Sequence, residues 1–343
     1  MPTLAEYKMQ EPDQNQVEVP ENKEEIQGDL VEESLEDDLG VDVPDIPLPS
    51  ADEAAASEAI DDEFEGAYRF AVVGVGQGGS RLAETFWKLG YRRVAVINTA
   101  AQDLKPISLP EKNKLLIGGG GAGKNREKAR LIFEEHREDI LDFLKNTFRT
   151  NIDRVLVCIG AGGGTGAGGG PIVVEICHDL CATVGTEESP QDAKVGAVLA
   201  LPSKSEGSRV KNNAKETADA LIEFSQTGTL SPLIILDNER IRHLYPKLSV
   251  NKFWNTANTS ICSLFHLFNK IAAQDSEYTA FDKADLDTVM SSGIISFGAV
   301  PVKPSGEIVL QSGEGDSASI LVMLPHAWPS EIKKLWIIHP KRV

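Results

Sequence analysis

The chain has 343 residues, 41% apolar and 6% aromatic, with a formal net charge of −18, enough for one large domain or two modest ones. It contains no run of 18 or more apolar residues, which excludes a membrane-spanning helix, and no basic-then-apolar leader at its N-terminus, so the cytoplasm is the expected location. Residues 1–66 hold 22 acidic residues against two lysines, a net of −20, while the rest holds 30 acidic and 32 basic residues, and nothing in that balance argues for a nucleic-acid footprint.

The acidic stretch 1–66 has too little apolar surface to offset the entropy of ordering and is expected to be disordered. Within it, Gly28 to Gly40 carries Leu30, Val31, Leu35 and Leu39 among carboxylates and is a candidate short helix for a protein partner. From Tyr68 the texture changes. The apolar run Tyr68 to Val75 predicts a buried strand and Ser80 to Leu89 a helix. Arg93 to Ile97 and Lys114 to Ile117 predict strands, then Asn125 to Phe148 a helix. The alternation continues with a strand over Arg154 to Ile159 and a helix over Pro171 to Cys181. Val195 to Leu201, a helix over Ser208 to Gln226, and Leu233 to Leu236 complete it. Strands alternating with helices predict a mostly parallel α/β sheet covered on both faces. A long helix is expected over Val250 to Ala273. Four strands follow, Ile294 to Val302, Glu307 to Gln311, Ser319 to Leu324 and Lys334 to His339, as a small β-rich subdomain. The implied division is a tail (1–66), a nucleotide-binding domain (67–249), a central helix with the loop after it (250–290), and a short C-terminal subdomain (291–343).

Cys177 and Cys181, four apart around His178, lack the further ligands that a zinc site needs. They read as small buried residues of a helix in a reducing compartment.

Three glycine loops carry the chemistry. Gly74-Val75-Gly76-Gln77-Gly78-Gly79 fits GxGxxG between a strand and a helix, where backbone amides can approach a phosphate. A dinucleotide fold also wants an acid at the end of the second strand to hold the ribose, and here Asn98 is neutral, which argues against an oxidoreductase. Gly118 to Asn125 nearly satisfies a P-loop, but Asn125 lacks the hydroxyl that ligates magnesium. Gly160 to Gly170, followed by Pro171, is so rich in glycine that its backbone must approach something very closely. Successive amides at a helix start favour an anion, with Pro171 expected near the first helical turn.

Gly162-Gly163-Gly164-Thr165-Gly166-Ala167-Gly168 resembles the tubulin/FtsZ signature GGGTGTG, with Ala167 where Thr or Ser is common. Its neighbours agree. Gln77 of the first loop looks like the tubulin variant, Asn98-Thr99-Ala100-Ala101-Gln102-Asp103-Leu104 is similar to the FtsZ stretch NTDAQAL, and Gly121-Ala122-Gly123 looks like the family's third loop. The resemblance runs from about Phe70 to Phe297. It implies GTP or GDP as ligand, with Mg²⁺, although Ala100 stands where FtsZ has an Asp. By the same resemblance, Glu206 meets the ribose, Arg209 approaches the phosphates, Asn238 reads guanine, Trp254 stacks on the base and Asn258 is the second base-reading residue. Two amides suit guanine's edge because each offers a donor and an acceptor.

In this family GTP is hydrolysed between subunits, by carboxylates from a loop of the next subunit. The matching segment is Ala280-Phe281-Asp282-Lys283-Ala284-Asp285, so Asp282 and Asp285 are the catalytic candidates. Two carboxylates can orient a water toward the γ-phosphate. The same two acids also suit the start of a helix, and both roles can hold together. The expectation is a GTPase assembling head-to-tail with copies of itself. The rival is a non-polymerising GTP-binding scaffold that engages protein partners through its acidic tail. The C-terminal region is about half as long as in FtsZ or tubulin.

Overall fold

The computed structural model describes residues 66–149, 152–184, 194–244, 249–273, 281–299, 318–322 and 335–340. The acidic stretch up to residue 65, with its candidate partner helix, lies outside them, as do the strand expected over 307–311 and Ala280.

The strands are β1 (Phe70–Val75), β2 (Val94–Asn98), β3 (Lys114–Leu116), β4 (Arg154–Gly160), β5 (Lys194–Leu201), β6 (Leu233–Asp237), β7 (Ile294–Ala299), β8 (Ala318–Val322) and β9 (Leu335–Pro340). They form one sheet in the order β3-β2-β1-β4-β5-β6-β7-β9-β8. The first seven are parallel, and β7-β9-β8 are antiparallel. The predicted parallel α/β architecture is thus present. β1 and β2 are buried along their whole length, as expected of parallel strands that helices cover on both faces.

Period-two alternation divides the core. Val72, Val96, Leu156, Cys158 and Val198 face α1 (Gly76–Lys88) and α8 (Val250–Ile271), together with α9 (Lys283–Met290). On that side Phe265 of α8 meets Phe70 and Phe86 edge-on at ring centroids of 4.8 and 5.5 Å, contacts worth about 1 kcal/mol each beyond area burial. Val73, Ile97, Val157, Ile159 and Leu199 face α3 (Arg126–Glu135), α4 (Arg137–Phe148), α5 (Gly164–Val184) and α6 (Ser208–Gln226). Short helices α2 (Ala101–Leu104) and α7 (Asn238–Leu244) follow β2 and β6. No helix among the described residues is long and apolar enough to cross a membrane.

Three helical boundaries differ from the sequence reading. The helix expected over 125–148 is two helices, broken at His136. Helix α1 begins at Gly76 rather than Ser80, so the first glycine loop is itself the opening turn. Helix α5 begins at Gly164, which leaves Pro171 in its interior rather than its first turn. A proline there removes the donor to the carbonyl four residues back, that of Ala167. The Thr217 hydroxyl of α6 lies 3.3 Å from that oxygen.

All four cysteines are free and buried. Burial pushes the Cys181 thiol up to about 12 and Cys158 higher still, so both stay protonated and unreactive. Among the described residues no three His, Cys, Asp or Glu side chains gather as a metal site.

Candidate functional site

Every predicted cradle residue outside α8 follows the carboxyl end of a parallel strand: Gly76 to Gly79 after β1, Asn98 at the end of β2, Gly121 to Gly123 beyond β3, Gly162 to Gly168 after β4, Glu206 beyond β5 and Asn238 after β6. The order 3-2-1-4-5-6 turns between β1 and β4, where the following loops part and open a crevice. The starts of α1 and α5 meet there. Gly76 has φ +71, and a Cβ on it would sit 2.7 Å from the Gly166 nitrogen, so only glycine lets the two turns touch. Neither helix carries an acid in its first turn, and α1 has no side chain capping its amides. Helix α6 likewise lacks both. The uncapped starts of α1 and α6, with the start of α5 beside them, bring three positive dipole ends to the loops after β1, β4 and β5, an arrangement that favours an anion.

The signature glycines divide into two groups. Gly164, Gly166, Gly168, Gly169 and Gly170 are buried against protein. Side chains on them would strike the Ala122–Arg126 segment, the Gly160 backbone, α3 or the β4 side chain Ile159. Gly163 has nothing within 4 Å, and Gln77 and Gly78 are exposed at the start of α1. Most of the close approach inferred from the glycine run is thus helix packing, and the open face for a ligand narrows to these residues and the third loop. That loop runs left-handed, with Gly118 to Gly121 at φ between +58 and +85. It is moored by Gly121 N–H donating to the Thr99 carbonyl at 2.8 Å and by Lys128 Nζ donating to Gly121 O at 2.9 Å. Asn125 caps α3 through its side chain, so the near-P-loop is a helix start.

Asn98 is fully buried. Its Oδ1 accepts from the Thr99 and Ala100 amides at 2.8 and 3.2 Å, while Nδ2 has no acceptor among the described residues. Beside it the Thr99 and Thr165 hydroxyls lie 2.7 Å apart, both buried, and join the segment after β2 to the first turn of α5. Glu206 accepts from the Ser203 amide at 2.9 Å and thereby shapes its own loop. Arg209 is exposed, and Asn238 is 9% exposed at the start of α7. Trp254 and Asn258, four apart, share one face of α8 in its second and third turns. The far end of α8 is fixed by Asn269, which exchanges bonds of 2.8 and 3.0 Å with the Tyr68 backbone before β1. At 1.5 Å per residue, Trp254 lies about 22 Å from Asn269 and so toward the cradle end.

Sequence reasoning missed Thr99 and Asn213. The Asn213 carboxamide of α6 donates to the carbonyls of Lys124 at 3.1 Å and Gly162 at 3.3 Å, holding the loop before α3 to the loop before α5. No local pattern marks a mid-helix Asn for this, and only its burial at 7% exposure gives it away.

The two catalytic candidates are elsewhere. Asp282 caps α9, with Oδ1 accepting from the Asp285 amide at 2.9 Å, and Asp285 accepts in return from the Asp282 amide at 3.3 Å. Both side chains are exposed. The helix they open is pinned to Arg154 and Lys194, the first residues of β4 and β5, so it lies at the amino ends of the strands. β4 has seven residues, so its two ends stand about 20 Å apart at ~3.3 Å per residue. Within one chain, the cradle and the acid pair cannot share a ligand.

The model of the Tubulin/FtsZ family GTPase domain matches residues 69–246, more than half of the chain. The chain belongs to the tubulin/FtsZ family. Cell division protein FtsZ 2 of Methanocaldococcus jannaschii is 31% identical over 258 residues, 72% of this chain and 61% of that protein. The tubulin-like protein CetZ of Pyrococcus abyssi is 28% identical over 276 residues, 76% and 70% of the two chains. Among solved structures, a GTPγS-form protofilament of Bacillus thuringiensis serovar israelensis TubZ shares the fold at a TM-score of 0.58 and 21% identity, covering 69% of this chain and 65% of that one. This tubulin/FtsZ chain therefore carries the family's GTPase domain, while spanning less than two thirds of the FtsZ 2 and TubZ chains.

Proposed function

We propose that this protein binds GTP in the cradle at the carboxyl ends of β1 to β6 and hydrolyses it between subunits. The Asp282 and Asp285 carboxylates of one copy complete the site of the next. One observation carries the reading: cradle and acid pair stand at opposite ends of the same parallel strands, so a complete site needs two copies placed head to tail. Repeating that contact does not close on a pair and generates a filament. The relative solved as a GTPγS-form protofilament supports the same arrangement.

In the cradle, Asn238 and Asn258 read the base and Trp254 stacks on it, Glu206 holds the ribose, and the amides beginning α1 and α5, with Arg209, take the phosphates. The incoming acids orient a water in line with the γ-phosphate and accept its proton. Chain side chains offer no preformed cage for magnesium among the described residues. The ion, which supplies charge neutralisation, would ride on the nucleotide's own phosphates and water.

The test is GTP turnover against protein concentration, with light scattering in parallel. Specific activity that climbs above a threshold together with scattering supports the reading. Tight GTP binding with flat, negligible turnover overturns it in favour of a nucleotide-binding scaffold acting through the acidic tail.

A further inference from the structure

At the end of the sheet remote from the cradle, side chains from β4, β5 and the segment before β1 close on Asp287 of α9. Arg154 donates through Nη2 to its Oδ1, and Lys194 Nζ lies 3.1 Å from Oδ2. The Tyr68 hydroxyl stands 3.1 Å from both Oδ1 and the carbonyl of Lys283, the first residue of α9. The Tyr68 ring carries two cations, the Arg154 guanidinium carbon 5.0 Å and Lys283 Nζ 4.8 Å from its centroid. Arg154 is 2% exposed, and its Nη1 has no partner among the described residues. Burial works to raise the Asp287 carboxyl, but the Lys194 hydrogen bond and the Arg154 charge prevail and hold it below its usual range. Burial pushes the Tyr68 phenol up to about 12, so it remains a neutral donor.

Holding α9 on the sheet does not require this cluster. Leu286, Val289 and Met290 already bury the helix in the core, and a buried ion pair adds little net stability over apolar packing. What directional bonds add is placement, because they fix the rotation and axial position of the first turn. We infer that Arg154, Lys194 and Tyr68, acting through Asp287, are positioning residues that set where Asp282 and Asp285 are presented to the neighbouring subunit. The inference rests on the interfacial reading proposed above.

The test uses the full chain with Asp287→Asn, which keeps the shape and removes the charge. Its GTP affinity should match wild type, because the cradle lies at the other end. Its turnover at saturating protein should fall by about 10²-fold, the scale of a 1 Å misplacement. Mixing it with a base-reading variant, Asn238→Ala, should restore part of the turnover, since the intact cradle of one then meets the intact α9 of the other. Mixing it with Asp282→Ala should restore none, since both are impaired in the same half-site. Should Asp287→Asn fold poorly for want of a partner to Arg154, the double variant Arg154→Met/Asp287→Asn removes the stranded charge and should still be slow. Wild-type turnover by either folded variant, or a mixture with Asn238→Ala that stays inactive, overturns the proposal. If wild-type turnover itself does not rise with concentration, the interfacial reading fails separately. Hydrogen exchange then judges the clamp at the first turn, where the Asp285 and Leu286 amides donate to Asp282: faster exchange there in Asp287→Asn, with Val289 and Met290 unchanged, sustains it, and unchanged exchange there refutes it.

Discussion

The Asn213 carboxamide donates one proton to the Lys124 carbonyl and the other to the Gly162 carbonyl. Two loops from different strands thus take their spacing from one side chain of α6. Asn213→Ala leaves both carbonyls without that donor, a loss of about 1–3 kcal/mol. Chemical denaturation should show this loss, and the GTP dissociation constant should rise about tenfold as the loops separate. Asn213→Asp, which places acceptors against acceptors, should be worse than Ala in both measurements.

The signature glycines should respond differently to the same change. Gly166→Ala forces a methyl into the Gly160 backbone and should cost about 1–3 kcal/mol or more of stability. Gly163→Ala meets no atom within 4 Å and should leave the melting temperature nearly unchanged while weakening nucleotide binding. Equal destabilisation by the two would contradict the division of the loop into a packed and an open part.

Asp282 can be separated into its two roles. Asp282→Ala loses the helix cap, about 1 kcal/mol, and the carboxylate together. Asp282→Ser keeps a capping oxygen without the charge. The expected pattern is stability near wild type for Ser, reduced for Ala, and GTP turnover lost in both. Turnover retained in the Ser variant would leave Asp282 a cap and nothing more.

Acid sensitivity should come from His266, which is 6% exposed beside the Tyr91 hydroxyl at 3.4 Å. Burial, with the Lys270 charge adding to it, lowers the imidazole from its ordinary 6.5 to about 4. Between those values the unfolded chain binds a proton that the native state refuses. Stability is therefore complete above the ordinary value and falls as pH drops toward about 4, by about 3 kcal/mol in all. Melting temperatures from about pH 7 to about pH 5 should show the decline, and His266→Leu should flatten it. The depressed carboxyls of Asp153 and Asp287 act in a separate window, their stabilisation being lost below the usual carboxylate range.

The strands and the glycine loops were readable in the sequence because both are local: apolar runs declare buried strands, and glycine at a strand end declares a tight turn. The starts of α1 and α5 were not readable. Glycine and Pro171 are poor helix formers, yet Gly76 and Gly164 to Gly170 are helical because contact with Gly160, Arg126 and Phe133 overrides propensity. The anchor of α9 was equally hidden, since Tyr68 and Asp287 are 219 positions apart, and nothing in either neighbourhood announces the other. The acid pair Asp282 and Asp285 could be found by motif, but only the parallel strands beneath them revealed which end of the molecule they occupy.

That placement has a consequence for dilution. On the interfacial reading proposed above, a catalyst whose two halves sit at opposite poles cannot serve itself, so its rate should vanish with its concentration even when every copy is loaded with nucleotide. In any open row of copies the cradle at one terminus faces solvent with no acids opposite it. On the same reading the terminal copy at that end should keep its nucleotide intact longest, and the two tips of the row should be chemically unlike from the moment two copies meet.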